Sequence, residues 1–77
     1  MGNRYGGATH NFINASLVSR RALQTERFEG FDVVVADGHT MECLYRIPKL
    51  EMKLGNYTVR DTFYVVDLLD IDVVLGV

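Results

Sequence analysis

The period of the apolar positions changes about a third of the way along the chain. Ile13, Leu17, Val18 and Leu23 fall at helical spacing, which predicts a helix over residues 9–23. Thr9 or Asn11 can act as its N-cap, accepting a bond from a free N–H of the first turn, and Arg20 and Arg21 fall where positive charge suits the helix dipole. After Gly30 the period becomes two: Phe31, Val33 and Val35 alternate with Asp32, Val34 and Ala36, which predicts a strand. Asp37-Gly38 predicts a type I′ hairpin turn, because both central residues of such a turn need positive φ, with residues 39–45 as the returning strand. Pro48 lacks a ladder donor and predicts an edge or a strand start. Beyond it Leu50, Met52 and Leu54 alternate with Lys49, Glu51 and Lys53, a strand with one wet face. Gly55-Asn56 makes the next turn, residues 57–66 form a strand rich in β-branched and aromatic residues, and residues 73–75 form a short apolar strand ending at Gly76. Five strands mostly joined by short turns, with one short helix near the N-terminus, predict a mainly β, mainly antiparallel fold.

Composition narrows this picture. A chain of 77 residues is one domain at most, here residues 1–77, and a domain this small buries a modest share of its surface, so a partner chain would help it. With 48% apolar and 23% charged residues it belongs with folded globular proteins. A net charge of -2 and scattered Lys and Arg give no basic footprint, so no nucleic acid partner is expected. No apolar run approaches the roughly 20 residues that span a bilayer, and the first residues lack the layout of a signal peptide. The expectation is a soluble, intracellular, cytoplasmic protein with no membrane partner.

Little metal or cofactor chemistry is visible. Cys43 is the only cysteine and reads as a small apolar strand residue. His10 and His39 could be paired with Asp32 or Asp37 as ligands, yet the spacing fits no metal site. Asp67, Asp70 and Asp72 lack the glycine and closing glutamate of a calcium loop and read as a solvated turn. Gly6-Gly7 lacks the strand and glycine pattern of a phosphate cradle, and the sequons at Asn14-Ala15-Ser16 and Asn56-Tyr57-Thr58 mean little without a secretory signal. No metal and no cofactor is expected.

Three segments, taken in order, carry a resemblance. Tyr5-Gly6-Gly7-Ala8-Thr9-His10-Asn11-Phe12-Ile13 is similar to Asp-Ser-Gly-Ala-Thr-His-Asn-Phe-Ile, Val35-Ala36-Asp37-Gly38 to a flap hairpin, and Asp72-Val73-Val74-Leu75-Gly76 to a closing strand that ends in glycine. With Phe63-Tyr64-Val65 these cover nearly the whole chain. They resemble the retropepsin-like aspartic protease domain of LTR retrotransposon polyproteins of the Ty3/gypsy type. The resemblance implies a retropepsin-like acid-protease fold, a small closed β-barrel with a flap hairpin. It also implies a homodimer acting on an extended peptide or polyprotein substrate.

In such a homodimer each subunit supplies one aspartate. Two carboxylates about 3 Å apart cannot both ionise, so one stays protonated as acid while the other, as base, activates the attacking water. The resemblance gives Gly7, Ala8, Ala36, Asp37 and Gly38 the substrate-binding positions. At the catalytic position it fails: Tyr5 stands where the aspartate belongs and Gly6 where Ser or Thr usually follows, so the catalytic residue is missing. A phenol with an ordinary pKa near 10 cannot do the work of that carboxylate. Asp37 is the only aspartate followed by glycine, but a hairpin tip is poorly suited to hold a dyad in register. Compared with the family, both ends read as short. The sequence therefore predicts an inactive aspartic-endopeptidase-like domain. The alternatives are a non-catalytic peptide-binding or dimerisation module, or an active protease when paired with a complete subunit.

Overall fold

The computed structural model describes residues 10–34 and 37–76. Strands dominate: β1 (Asn11–Asn14), β2 (Glu26–Val34), β3 (Thr40–Leu54), β4 (Tyr57–Val66) and β5 (Val73–Val74), with one helix, α1 (Ala15–Arg20), between β1 and β2. They form one sheet in the order β2-β3-β4-β1-β5, antiparallel except where β1 runs parallel to β4.

The predicted mainly β architecture with a short N-terminal helix is therefore present, but its pieces are cut differently. Residues 11–14 are a strand, not the first turn of a helix. Asn11 and Ile13 point to one side and pair with Phe63 and Val65, so tertiary pairing overrides the helical spacing that Ile13 and Leu17 suggest. The cap is accordingly Asn14, in an extended conformation, whose Oδ1 accepts from the N–H of Ser16. The helix stops at Arg20, and Ala22 follows in the left-handed region at φ 51°.

The two segments read as separate strands on either side of Pro48 are one strand of 15 residues. Between the pairs Ile47↔Phe63 and Leu50↔Asp61, β3 advances three residues while β4 advances two. The extra residue is a β-bulge at Pro48-Lys49, with Lys49 at φ 56°, and the bulge accommodates a proline that an unbroken ladder would reject. A second irregularity lies in β2, which starts at Glu26 rather than Phe31: Arg27 pairs with Tyr45 and Phe31 with Cys43. Gly30 lies inside that bulge at φ 86°. A Cβ there would meet Cys43 O at 2.9 Å and Leu44 Cδ2 at 2.8 Å, so the position requires glycine on two counts.

Side chains gather on both faces of the sheet. On one, Ile13, Ile47 and Phe63 are buried under Val18 of α1, with Leu50, Met52, Val59, Val65 and Val73 packed around them. Elsewhere, rings from distant strands meet. Phe31 of β2 lies 5.1 Å from Tyr64 of β4 and 5.0 Å from His10, which precedes β1. In a flat sheet β2 and β1 would be about 14 Å apart, three strand spacings. The sheet must curl to close that gap, and curling of this kind is what a small barrel-like acid-protease domain needs.

Candidate functional site

The residues that the resemblance points to fall in two places, and the structure describes them unequally. Tyr5, Gly7, Ala8 and Ala36 lie outside the described residues. Asp37 and Gly38 are described, in the exposed turn between β2 and β3.

That turn is organised by its own aspartate. Asp37 Oδ1 accepts from the N–H of His39 at 3.0 Å, and Oδ2 lies 2.9 Å from His39 Nδ1. The backbone N–H of His39, followed by its ring, holds the Asp37 carboxyl below the usual aspartate range. Gly38 adopts φ 91°, a conformation glycine takes without strain. The bond from the Asp37 side chain to the amide two residues on is an Asx-turn, and Asp37 itself is not at positive φ, so the tip is not the expected type I′ turn: the side-chain bond and Gly38 shape it instead.

Below the tip, the hairpin is locked to the rest of the sheet. Arg46 Nε donates to Glu26 Oε2 at 2.7 Å, and its guanidinium stacks 4.9 Å from the Phe28 ring centroid. Phe28 in turn packs 5.4 Å from Tyr64. The aromatic cluster therefore joins the hairpin to His10, the first described residue after the segment that resembles the catalytic loop.

The other side of that segment is fixed by two buried asparagines. Gly76 lies flat against His10, and a Cβ on it would come within 3.0 Å of both His10 N and His10 O. Asn11 holds it there: its Oδ1 accepts from the N–H of Gly76 at 2.8 Å, while Nδ2 donates to Asp61 Oδ2 at 3.1 Å and to Thr62 O at 3.3 Å. Asn14 does the same for the preceding loop, donating from Nδ2 to Leu68 O at 2.6 Å and Ile71 O at 3.0 Å. Its own N–H donates to Asp72 O at 2.8 Å. Each amide has its donors and its acceptor engaged, which is what makes burial of an asparagine tolerable.

A model of the retroviral aspartyl protease family matches residues 4–77. The chain belongs to that family. No curated protein and no solved structure shows a significant match to it. Membership in the retroviral aspartyl proteases accounts for the pairing of a glycine-ended strand with the segment around His10, and for the hairpin that stands beyond the aromatic cluster.

Other groups in this retroviral-protease-like domain have structural employment. Cys43 is fully buried, and its thiol donates to Val65 O at 3.3 Å; burial pushes its pKa up, so it stays a protonated core residue, as its strand position suggested. Among the described residues no group of three His, Cys, Asp or Glu side chains could hold a metal. None of their helices is long and apolar enough to cross a membrane. Two open surface depressions, of about 430 and 500 Å³, lie beside the β3 bulge, and neither is lined by Asp37, Gly38 or His10.

Sequence reasoning missed Asn11, Asn14, Arg46 and Gly30. Asn11 was within reach, since it lies in the family-like segment and on the inward parity of β1. Asn14, Arg46 and Gly30 take their roles from partners distant in sequence, and no local pattern marks them.

Proposed function

We propose that this chain is an aspartic-endopeptidase-like domain derived from an LTR retrotransposon polyprotein, and that it cleaves no peptide bond by itself. The observation that carries this reading is Tyr5. It lies within the matched stretch of residues 4–77, at the position where the resemblance calls for the catalytic aspartate. The reaction needs a pair of carboxylates sharing one proton, and in a homodimer one substitution removes both members at once. The flanking parts remain: Gly7 and Ala8 beside the lost acid, and Ala36, Asp37 and Gly38 at the hairpin, where an extended peptide would be held. Paired with a subunit that has its own aspartate, the site would still hold only one.

A second reading, a module that binds an extended peptide without cutting it, is favoured by the edge of the sheet. Among the described residues β2 has a neighbour on one side only, and such an edge accepts an added strand.

The test is peptide cleavage at mildly acidic pH by the chain and by Tyr5→Asp, each with and without a pepstatin-type inhibitor. Cleavage by Tyr5→Asp alone, blocked by the inhibitor, is the expected result. Inhibitor-sensitive cleavage by the unaltered chain would overturn the proposal.

A further inference from the structure

Strand β3 outruns β2. The β2–β3 ladder starts at Glu26↔Arg46, whereas β3 continues to Leu54, so among the described residues its last stretch pairs with β4 alone. The bulge at Pro48-Lys49 interrupts that stretch and the turn at Gly55-Asn56 ends it, which leaves residues 50–54 as a regular edge about 17 Å long. Residues 23–26 do not close over its beginning, because they and residues 47–51 line an open depression of about 500 Å³. An unpaired edge of this kind presents a row of free backbone donors and acceptors.

Pairing with β4 fixes the two faces of the edge. Leu50, Met52 and Leu54 share one face with Val59 and Tyr57, while Glu51 and Lys53, both exposed, share the other with Arg60 and Thr58. Glu51 has Arg60 directly across from it; Lys53 has only the neutral Thr58. Read in either direction, Leu50-Glu51-Met52-Lys53-Leu54 keeps its apolar positions and inverts its charges. Two such strands laid antiparallel about a two-fold axis at Met52 therefore set Met52 against Met52, Leu50 against Leu54 and Glu51 against Lys53. The neighbouring registers fail. An axis at Glu51 sets Glu51 against itself and Lys49 against Lys53, and an axis at Lys53 sets Lys53 against itself. One at Leu50 draws in Pro48 and Lys49, where the bulge breaks the edge, and one at Leu54 runs into the turn.

We propose that residues 50–54 of two copies pair as antiparallel edge strands in this register, joining the copies through β3 about a two-fold axis at Met52. The charges identify a second copy as the occupant: Lys53 gains from the other copy's Glu51 the carboxylate that Thr58 does not supply, and each Glu51 then stands between Arg60 of its own hairpin and Lys53 of the other. On the apolar face Leu54, 37% exposed, comes to lie beside Leu50 of the other copy, and the half-buried stripe of the hairpin continues across the junction. The contact involves neither Tyr5 nor the Asp37 turn, so it stands or falls independently of the proposed loss of catalysis. The pairing is short, and the association is accordingly weak and salt-sensitive.

Sedimentation equilibrium of the full chain tests this. Concentration-dependent dimerisation is expected, weakening with added salt. Glu51→Lys and Lys53→Glu each set like charges against each other at both symmetry-related pairs, and each should dimerise about tenfold more weakly, while their exposed positions leave melting unchanged. An equimolar mixture of the two variants restores opposite signs at both pairs and should associate more tightly than either variant alone. A chain that stays monomeric would overturn the proposal. So would association indifferent to both substitutions, which would place the contact elsewhere, or a mixture no stronger than its components.

Discussion

The two sides of the sheet are held by different means. Strands β2, β3 and β4 are long and antiparallel, with a tight turn at Gly55-Asn56 between β3 and β4, and their backbone ladders fix most of their geometry. Strands β1 and β5 are short: β1 pairs over four residues with β4, and β5 over two with β1. A two-residue pairing cannot hold a chain segment, so side chains do it, with Asn11 on Gly76 and Asn14 on Leu68 and Ile71. The side of the molecule that frames the family's catalytic segment thus depends on a few buried amides, and the hairpin side on a distributed ladder. Damage to the first should be local, and damage to the second global.

The largest effect is expected where both sides meet. Phe63 is fully buried and pairs with Ile47 on one flank and Asn11 on the other. Phe63→Ala should cost about 3–5 kcal/mol, a large part of the stability of so small a domain, as measured by urea unfolding. Retention of the full unfolding midpoint would mean that the two sides do not share a core.

Asn14→Ala comes next. It removes two bonds to the carbonyls of the 67–72 loop and the cap on Ser16, about 2–3 kcal/mol at roughly 1 kcal/mol each. Hydrogen exchange should quicken in residues 67–76 and in α1 while the β3–β4 ladder keeps its protection. Uniform quickening through β3 and β4 would erase the contrast between local and distributed fastening.

On the hairpin side, Gly30→Ala combines a left-handed backbone with a close approach to Cys43 O. Leu44 can rotate aside but the carbonyl cannot, and a cost of about 2 kcal/mol is expected in thermal unfolding. Because the strain falls within the ladder, exchange should quicken along β2 and β3 together. An unchanged melting temperature would show that the β2 bulge can relax freely.

How much of this was legible in the sequence depends on the range of the interaction. Period-two alternation and the Asp37-Gly38 and Gly55-Asn56 turns are local, and β4 follows from them with the ends expected, β3 with shifted ones. Residues 11–14 were misread because a four-residue strand between long-range partners has no local signature, while Ile13 falls at helical spacing from Leu17 and Val18 of α1. Pro48 was read as a boundary since the bulge that accommodates it depends on the opposing strand. The family-like segments were legible as a pattern of residue types, and the family match over residues 4–77 agrees with them. The fastening of Gly76 to Asn11, 65 residues away, was not, because only the folded chain brings that amide to that carbonyl oxygen.

The smallest effect belongs to the hairpin tip, where the fastening is neither ladder nor core. The Asp37 carboxyl is held below the ordinary range chiefly by the His39 N–H, and it is fully exposed. A carboxylate whose pKa is lower folded than unfolded stabilises the fold above its unfolded value, and the contribution is lost as pH falls through the folded one. Asp37→Asn should therefore leave unfolding almost unchanged at neutral pH, since an amide oxygen can still accept from His39, and should remove the slight loss of stability expected of the unaltered chain as pH falls below the ordinary aspartate range. An NMR titration of the Asp37 carboxyl checks this directly, with a midpoint lower than that of an unstructured aspartate. A midpoint at or above that reference would mean the Asx-turn is not maintained in solution, and the tip would then owe its shape to Gly38 alone.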